Sequence, residues 1–217
     1  MANHLTAKRL ILPIVISVAA ICSSAPARAG LEMELQSGGN TYTQSSAGSP
    51  LTVVQTIGNF TSAVEIGTTT ITPSIDLASV DVSSSAGGTL VVTFSANGFT
   101  TSTAAANWLS QFSGNIIFGT ATVTQQTYLD TTDTLLGTDT PLGTLTASTT
   151  PFGLSDVAEA TTPGPFAITE IFTITTPGAT QVSLDGSVVY APEPASLALL
   201  GAGMLGLAAF TRRKSRV

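Results

Sequence analysis

Basic residues are scarce in this 217-residue chain and occur only near its two ends. Lysine and arginine together number 7, and none lies between Gly30 and Thr211. Residues 30–191 contain twelve acidic residues and no basic one, so their formal charge is −12. Proteins bind nucleic-acid backbones through Lys and Arg, which displace counterions from the phosphates. The composition therefore excludes nucleic acid as a partner of this segment.

Histidine and cysteine are equally scarce. His4 and Cys22 are the only residues of their kinds, and both precede residue 30. Residues 30–191 therefore lack the groups needed for Ser-His or Cys-His catalysis, thiol redox chemistry, a Schiff base or a His/Cys zinc site. A pair of carboxylates of the glycosidase kind is the catalytic option that remains, and nothing in the sequence selects one pair. We expect a domain that is not an enzyme and that needs no cofactor.

The N-terminus has the three-part layout of a secretory signal peptide. Two basic residues precede an apolar run over residues 10–21, and the small residues Ala27 and Ala29 lie at positions −3 and −1 before Gly30. The run is shorter than the ~20 apolar residues of a spanning helix. We predict that residues 1–29 pass through the Sec translocon and are removed by signal peptidase after Ala29. The alternative is a retained membrane anchor.

The C-terminus has three consecutive parts. Pro192, Glu193 and Pro194 form an extended unit, because proline lacks an N–H group and disfavours helix at the residue before it. Next comes an apolar run of 17 residues from Ala195 through Phe210 to Thr211. As a helix it measures about 25 Å, at the short end for a membrane span. Four basic residues then hold this end in the cytoplasm by the positive-inside rule, and these are Arg212, Arg213, Lys214 and Arg216.

Small residues recur every four positions in the apolar run, at Ala198, Ala202 and Gly206. Such a stripe allows another membrane helix to approach closely. The alternative is that the stripe only reflects the general Ala and Gly content of a weak anchor. The two interpretations remain open.

This tail resembles the PEP-CTERM sorting signal of certain Gram-negative surface proteins. The matching features are the Pro-Glu-Pro unit, the apolar helix with its Gly201–Gly206 core and the basic end, which together cover about 26 residues. The resemblance implies recognition by an exosortase, a membrane-embedded cysteine transpeptidase, with cleavage near Pro-Glu-Pro. It also implies a host that makes extracellular polysaccharide. We assign residues 191–217 to this signal, with an ordinary single-span tail as the alternative.

Residues 30–190 form the predicted secreted domain, in which 34 Thr and 18 Ser make up about a third of the positions. Leu90, Val92 and Phe94 alternate with Thr89, Val91, Thr93 and Ser95, a period of two that is typical of half-buried strands. The domain is therefore predicted to be all-β, a single antiparallel β-sandwich or jelly-roll-like fold of seven to nine strands. The alternative is a disordered Ser/Thr-rich stalk. The predicted strands are 51–57, 74–82, 89–96, 115–124, 142–148, 167–175 and 181–190.

Two local features refine this prediction. Asn97-Gly98 follows the predicted strand 89–96, and both residues tolerate positive φ, which indicates a hairpin turn. The Ala-rich segment 103–112 is the one place where a helical turn or two is expected.

Glu170 is unusual among the acidic residues. It shares parity with Ile168, Phe172 and Ile174, so a regular strand would direct its carboxylate into the core. No basic residue of the domain can pair with it there. We expect a β-bulge or an edge position that turns this side chain to water. A functional carboxylate in a cleft is the alternative.

Two sets of residues are candidates for ligand binding. Asp130, Asp133 and Asp139 form the densest acidic cluster, and oxygen ligands suit calcium, although the spacing is not that of an EF-hand. We favour a polar turn over a calcium site. Trp108 offers a surface for stacking on sugars if it is exposed, but a lone Trp in a β-sandwich is more often a core anchor.

Together these features favour a non-enzymatic exported protein of the cell surface or extracellular matrix. Its negative charge would keep copies apart by mutual repulsion. The alternative is an adhesin-like module that binds exopolysaccharide, with calcium as an optional ligand. In both cases the C-terminal helix holds the chain transiently in the inner membrane of a Gram-negative-type bacterium before it is sorted to the envelope, the surface or the matrix.

Overall fold

The computed structural model describes residues 30–69, 73–101, 105–162 and 164–191, together with Met204. Within the four ranges the chain forms twelve β-strands and no helix. In chain order the strands are β1 (Leu31–Ser37), β2 (Asn40–Ser46), β3 (Leu51–Ile57), β4 (Phe60–Thr69), β5 (Ser74–Ser84), β6 (Gly88–Phe99), β7 (Ala105–Phe118), β8 (Thr122–Asp130), β9 (Thr140–Ala147), β10 (Phe152–Thr161), β11 (Phe166–Thr176) and β12 (Thr180–Ala191).

The strands form two six-stranded antiparallel sheets that pack face to face. Sheet 1 has the order β2-β1-β6-β11-β8-β9, and sheet 2 has the order β10-β7-β12-β5-β4-β3. The edge strands β9 and β10 contact each other, as do β2 and β3, so the two sheets meet at both sides. The prediction of an all-β, antiparallel, sandwich-like domain is confirmed.

The core follows from the alternation of side chains along each strand. In β1, Leu31, Met33 and Leu35 are fully buried and point at sheet 2, while the residues between them are only half-buried. Aromatic rings join the two sheets, since Phe172 of sheet 1 lies 5.7 Å from Phe112 of sheet 2 between ring centroids. Each such buried side chain contributes about 1.5–3 kcal/mol.

The predicted number of strands is too low. The predicted strand 51–57 coincides with β3, and five others fall within longer or shifted strands, but β1, β2, β4 and β10 have no predicted counterpart. Two of these, β2 and β10, are exposed or half-buried along most of their length. β2 therefore carries no apolar alternation for a sequence pattern to detect. In β10 the apolar positions Phe152, Leu154, Ala158 and Ala160 are interrupted by Asp156.

The hairpin predicted at Asn97-Gly98 is wrong, because both residues lie inside β6. Gly98 does adopt positive φ, at 80°. Ala96 pairs with Ile168 and Phe99 with Phe166, so three steps on β6 oppose two on β11. The pair forms a β-bulge, in which positive φ accommodates the extra residue without reversing the chain.

The helical turn expected within 103–112 is also wrong over the described part of that segment, because β7 begins at Ala105. Ala106, Trp108, Ser110 and Phe112 are buried at alternate positions. This period of two, set by the core, overrides the helix preference of alanine. The predicted strand 115–124 is divided by a turn at Gly119, whose φ is 76°.

Candidate functional site

The last strand, β12, ends directly before the Pro-Glu-Pro unit. It lies inside sheet 2 between β7 and β5, and Ala191 still pairs with Asn107. The Tyr190 N–H donates to the Pro73 carbonyl at 2.9 Å, and the Tyr190 ring contacts Trp108 edge-on at 5.7 Å. The chain therefore leaves the fold from a fixed strand end, with no linker before Pro192.

Most residues predicted to direct sorting lie outside the described residues. These are the signal peptide with Ala27 and Ala29, the motif Pro192–Pro194, the apolar positions Ala195, Ala198, Ala202, Gly206 and Phe210, and the basic residues Arg212, Arg213, Lys214 and Arg216. Among the residues that are described, no helix has the length and apolar character needed to cross a membrane.

Gly30, the residue after the predicted signal-peptide cleavage site, is fixed in the fold. Its N–H donates to Asn97 Oδ1 at 3.0 Å, and its carbonyl accepts from the Asn97 N–H at 3.1 Å. A Cβ at this position would lie 2.8 Å from Asn97 Oδ1, so any residue other than glycine would require the Asn97 side chain to shift. The domain is therefore ordered from the first residue of the predicted mature chain.

Gly30 and Ala191 lie at the same end of the sandwich, which we call the base. Gly30 is next to Leu31, which pairs with Ala96 near the end of β6. Across the two sheets, the ring centroids of Trp108 and Phe166 lie 5.4 Å apart. The last residues of β6 and the first of β11 therefore lie beside the first residues of β7 and the last of β12. The loop 131–139 follows β8 at this same end, and Thr162, Gly164 and Pro165 follow β10 there.

A polar groove crosses the outer face of sheet 2. It consists of two adjoining cavities of about 340 and 380 Å³, which share Ser113 and Asp185. Ser113 pairs with Asp185 on one side and Gly153 on the other, and a Cβ at Gly153 would meet nothing within 4 Å. The groove is thus open above Gly153. The polar side chains of the first cavity are Gln111, Ser113, Ser155, Asp185 and Ser187.

Partial burial raises the pKa of the Asp185 carboxyl, and the negative charge of Asp76 raises it further, while the Gly186 N–H opposes the rise. Asp76 pairs with Ser187 on the neighbouring strand, next to the groove. The floor of the groove therefore presents hydroxyls, an amide and a carboxylate, and no cation lies among the described residues to neutralise it.

Glu170 lies in the core beneath this groove, on the regular strand β11 in the interior of sheet 1. The expected bulge or edge position that would expose it is therefore wrong. Gln125 Nε2 donates to Glu170 Oε1 at 2.5 Å and to the Gln111 carbonyl at 2.9 Å, while Glu170 Oε2 has no partner. A Cβ at Gly186 would lie 2.5 Å from the Phe172 ring, 3.0 Å from Gln125 Nε2 and 3.3 Å from Glu170 Oε1, so this glycine leaves space for the ring and for the Gln125–Glu170 pair.

Burial raises the pKa of the Glu170 carboxyl well above its usual range. The hydrogen bond from Gln125 opposes the rise, and the charges of Asp76 and Asp185 add to it. None of the described residues is a Lys, Arg or His that could pair with a buried anion, so burial favours the neutral carboxyl. It is a structural group of the core and does not line the groove.

The acidic cluster at the base is a polar turn in the structure. Asp130 Oδ1 accepts hydrogen bonds from the Thr132 N–H, the Thr132 hydroxyl and the Thr134 N–H. Burial alone would raise its pKa, but these hydrogen bonds outweigh it and lower the pKa. Asp133 Oδ1 accepts from the Gly98 N–H at 2.6 Å, and Asp139 is exposed. No group of three or more His, Cys, Asp or Glu side chains in the described ranges is placed to hold a metal ion.

Trp108 is fully buried between the sheets and cannot stack on a sugar at the surface. Of the aromatic residues near it in sequence, Phe112 is also buried, and Phe118 is 63% exposed at the end of β7. The core-anchor interpretation is confirmed.

The groove residues Ser113 and Asp185 were not predicted, because their proximity depends on strand pairing across 72 positions of sequence.

Residues 191–214 match the family model described as the PEP-CTERM protein-sorting motif. The match begins at the last residue of β12 and includes the Pro-Glu-Pro unit, the apolar run and three of the four basic residues. The resemblance seen in the sequence is thereby confirmed. The motif implies export, membrane-associated sorting and processing by an exosortase.

No curated protein sequence matches the chain. Among solved structures, the enzymatically active domain of bacteriophage CBA120 tailspike protein 4 aligns with 63% of this chain and 20% of its own, at 10% identity and a TM-score of 0.33. The chain spans a fifth of the length of that structure.

Proposed function

We propose that the chain is an exported, non-enzymatic protein of the cell surface or extracellular matrix, which an exosortase sorts through its C-terminal motif. The observation that carries the proposal is the match over residues 191–214, which starts where β12 ends. The signal-peptide layout of residues 1–29 supplies the export that such sorting requires.

In this route the Sec translocon exports the chain and signal peptidase cuts after Ala29. The apolar segment Ala195–Thr211 then holds the chain in the inner membrane, with its basic end in the cytoplasm. The exosortase cuts near Pro192–Pro194, and the domain passes to the envelope, surface or matrix.

The surface chemistry of the domain supports a structural role over a catalytic one. The domain has no His, Cys, Lys or Arg, and its hydroxyl side chains are abundant. On β2, for example, Thr41, Thr43 and Ser45 are all exposed. A hydroxyl-rich surface with a formal charge of −12 remains hydrated and repels further copies of the chain.

Replacing both Pro192 and Pro194 with alanine is expected to abolish processing, because the extended unit that the exosortase recognises would be lost. The variant should accumulate in the membrane at the mass of the uncut form when it is expressed in a host with an exosortase. The matched control replaces Pro165 and Pro177, two exposed loop prolines of the domain, and should be processed like the wild type. Equal processing of both variants would overturn the proposal.

A second candidate function is the binding of a neutral exopolysaccharide in the groove of sheet 2. The groove volume lies within the ~300–1,000 Å³ range of ligand sites. Gln111 and Asp185 offer an amide and a carboxylate to sugar hydroxyls, and Ser113 and Ser187 offer hydroxyls. An anionic polymer is disfavoured, because Asp185, Asp76 and the rest of the domain would repel it.

Substituting Gly153→Trp is expected to abolish this binding, since the new side chain would fill the open space above the groove. Gly178→Trp is the matched control. A Cβ added at Gly178 also meets nothing within 4 Å, but this residue lies on the turn between β11 and β12, away from the groove. Binding is measured against neutral and anionic fractions of the host polysaccharide. Unchanged affinity of the Gly153 variant, or no binding by the wild type, would reject this function.

A further inference from the structure

The tether between the domain and the predicted membrane segment is very short. β12 is paired up to Ala191, and only Pro192, Glu193 and Pro194 separate it from the apolar run that begins at Ala195. The four Cα–Cα steps from Ala191 to Ala195 span at most about 14 Å when the chain is fully extended. The headgroup layer on one side of a bilayer occupies about 5–8 Å of that distance. Little space therefore remains between the end of β12 and the lipid headgroups.

The fold offers no easy way to lengthen this tether. Ala191 pairs with Asn107, the Tyr190 N–H donates to the Pro73 carbonyl, and the Tyr190 ring packs on the buried Trp108. Unzipping the end of β12 would break ladders on both of its sides, since it lies between β7 and β5. Each hydrogen bond lost in this way leaves backbone groups without partners in the strands on either side.

The position of β12 within its sheet sets which surface meets the membrane. It is the third of six strands in sheet 2, and neighbouring strands lie about 4.8 Å apart. Strands therefore extend on both sides of the tether, and a tilt towards either sheet edge moves the base closer to the lipid. Gly30, where the predicted signal peptide ends, emerges from this same base.

We infer that, until its tail is cut, the sandwich stands end-on at the membrane with its base facing the lipid headgroups, an inference that rests on the proposed sorting route. The turns at the far end of the strands, such as 148–151 and 177–179, then point away from the membrane. Because β12 alone spans 12 residues, these turns lie roughly 35–40 Å further out.

The charge of the base gives this arrangement a consequence for release. Asp133 and Asp139 lie in the 131–139 loop of the base, and no Lys or Arg is present between Gly30 and Thr211 to bind anionic headgroups. The tether thus holds an acidic surface next to the membrane. Cutting near Pro192–Pro194 removes this tether, and no Lys or Arg between Gly30 and Thr211 remains to hold the domain at the headgroups.

Cysteine accessibility tests the orientation, because the domain has no cysteine of its own. In a Cys22→Ser background, single cysteines replace Thr138 or Gly164 in the base loops, and Ser148 or Gly178 in the distal turns as matched controls. The full-length chain is expressed in a host without an exosortase. Right-side-out membrane vesicles are treated with a bulky polyethylene-glycol maleimide, and the same samples are labelled again in detergent.

Labelling at Thr138→Cys and Gly164→Cys is expected to be several-fold slower in vesicles than in detergent. The two distal positions are expected to label equally fast in vesicles and in detergent. Equal labelling of all four positions, in a chain that sediments with the membranes, would overturn the end-on orientation and leave the sorting route intact. A chain that does not sediment with the membranes would overturn the proposed function and this inference with it.

Discussion

Substituting Trp108→Ala is expected to destabilise the domain by about 3–5 kcal/mol, the range for truncating a large buried aromatic residue. The indole is fully buried and contacts Phe166 of sheet 1 and Tyr190 of sheet 2 edge-on. Its loss would leave a cavity where the two sheets meet at the base. Since domains have a total stability of about 5–15 kcal/mol, much of the margin would be lost. The measurement is urea denaturation followed by far-UV circular dichroism.

Two further variants separate packing from other roles of Trp108. Phe118→Ala removes a ring of the same strand that is 63% exposed, and should leave the stability nearly unchanged. Trp108→Phe should retain most of the stability, because Trp108 Nε1 has no hydrogen-bond partner to lose. Wild-type stability in the alanine variant would contradict the assignment of Trp108 to the core.

Substituting Glu170→Gln is expected to stabilise the domain at neutral and alkaline pH and to flatten its dependence on pH. The native state raises the pKa of this buried carboxyl, chiefly through desolvation. Below the ordinary carboxyl pKa the group is protonated in both states, and its stabilising contribution is complete. As the pH rises, the unfolded chain ionises first. The free energy of unfolding then falls by up to about 1.4 kcal/mol per pH unit until the pH passes the native pKa.

Glutamine has nearly the same shape and can still accept the hydrogen bond from Gln125, but it does not ionise. The unfolding midpoint in urea, followed by the fluorescence of the lone Trp108, should therefore exceed that of the wild type at about pH 8 and match it at about pH 4. The control is Glu159→Gln on the edge strand β10, where the carboxyl is exposed. A Glu170 variant with the pH dependence of the wild type would show that this carboxyl is not held neutral.

The fold class was predictable because alternation is a local property of the sequence. Leu90, Val92 and Phe94 indicate a half-buried strand without knowledge of any partner, and all three are buried in β6. The C-terminal signal was predictable for a similar reason, since its three parts follow one another in the chain. Features of this kind require no information about tertiary contacts.

The errors concern positions whose structure depends on distant residues. Asn97-Gly98 forms a bulge, and its amide groups bond to Gly30 and Asp133, 67 and 35 positions away. Glu170 is tolerated in the core because Gln125, 45 positions away, donates to it. The sequence correctly placed the Glu170 side chain on the inner face of its strand, but it could not reveal the amide that satisfies one of its oxygens.

The groove was not predictable for the same reason. Asp185, Ser113 and Gly153 are ordinary polar or small residues in the sequence, and they form a site only because β12, β7 and β10 are adjacent in sheet 2. The position of Ala191 at the base likewise follows from the central place of β12, which no local pattern indicates.

The most direct test of the sorting route is the intact mass of the protein recovered from the envelope and medium of its own host, with mapping of the C-terminal peptide. The proposed route predicts a chain that begins at Gly30 and ends between Pro192 and Ala195, with any surplus mass reporting a transferred group or glycan. A recovered chain that continues to Val217 would show that the tail is a membrane anchor and is not processed, and it would contradict the proposal.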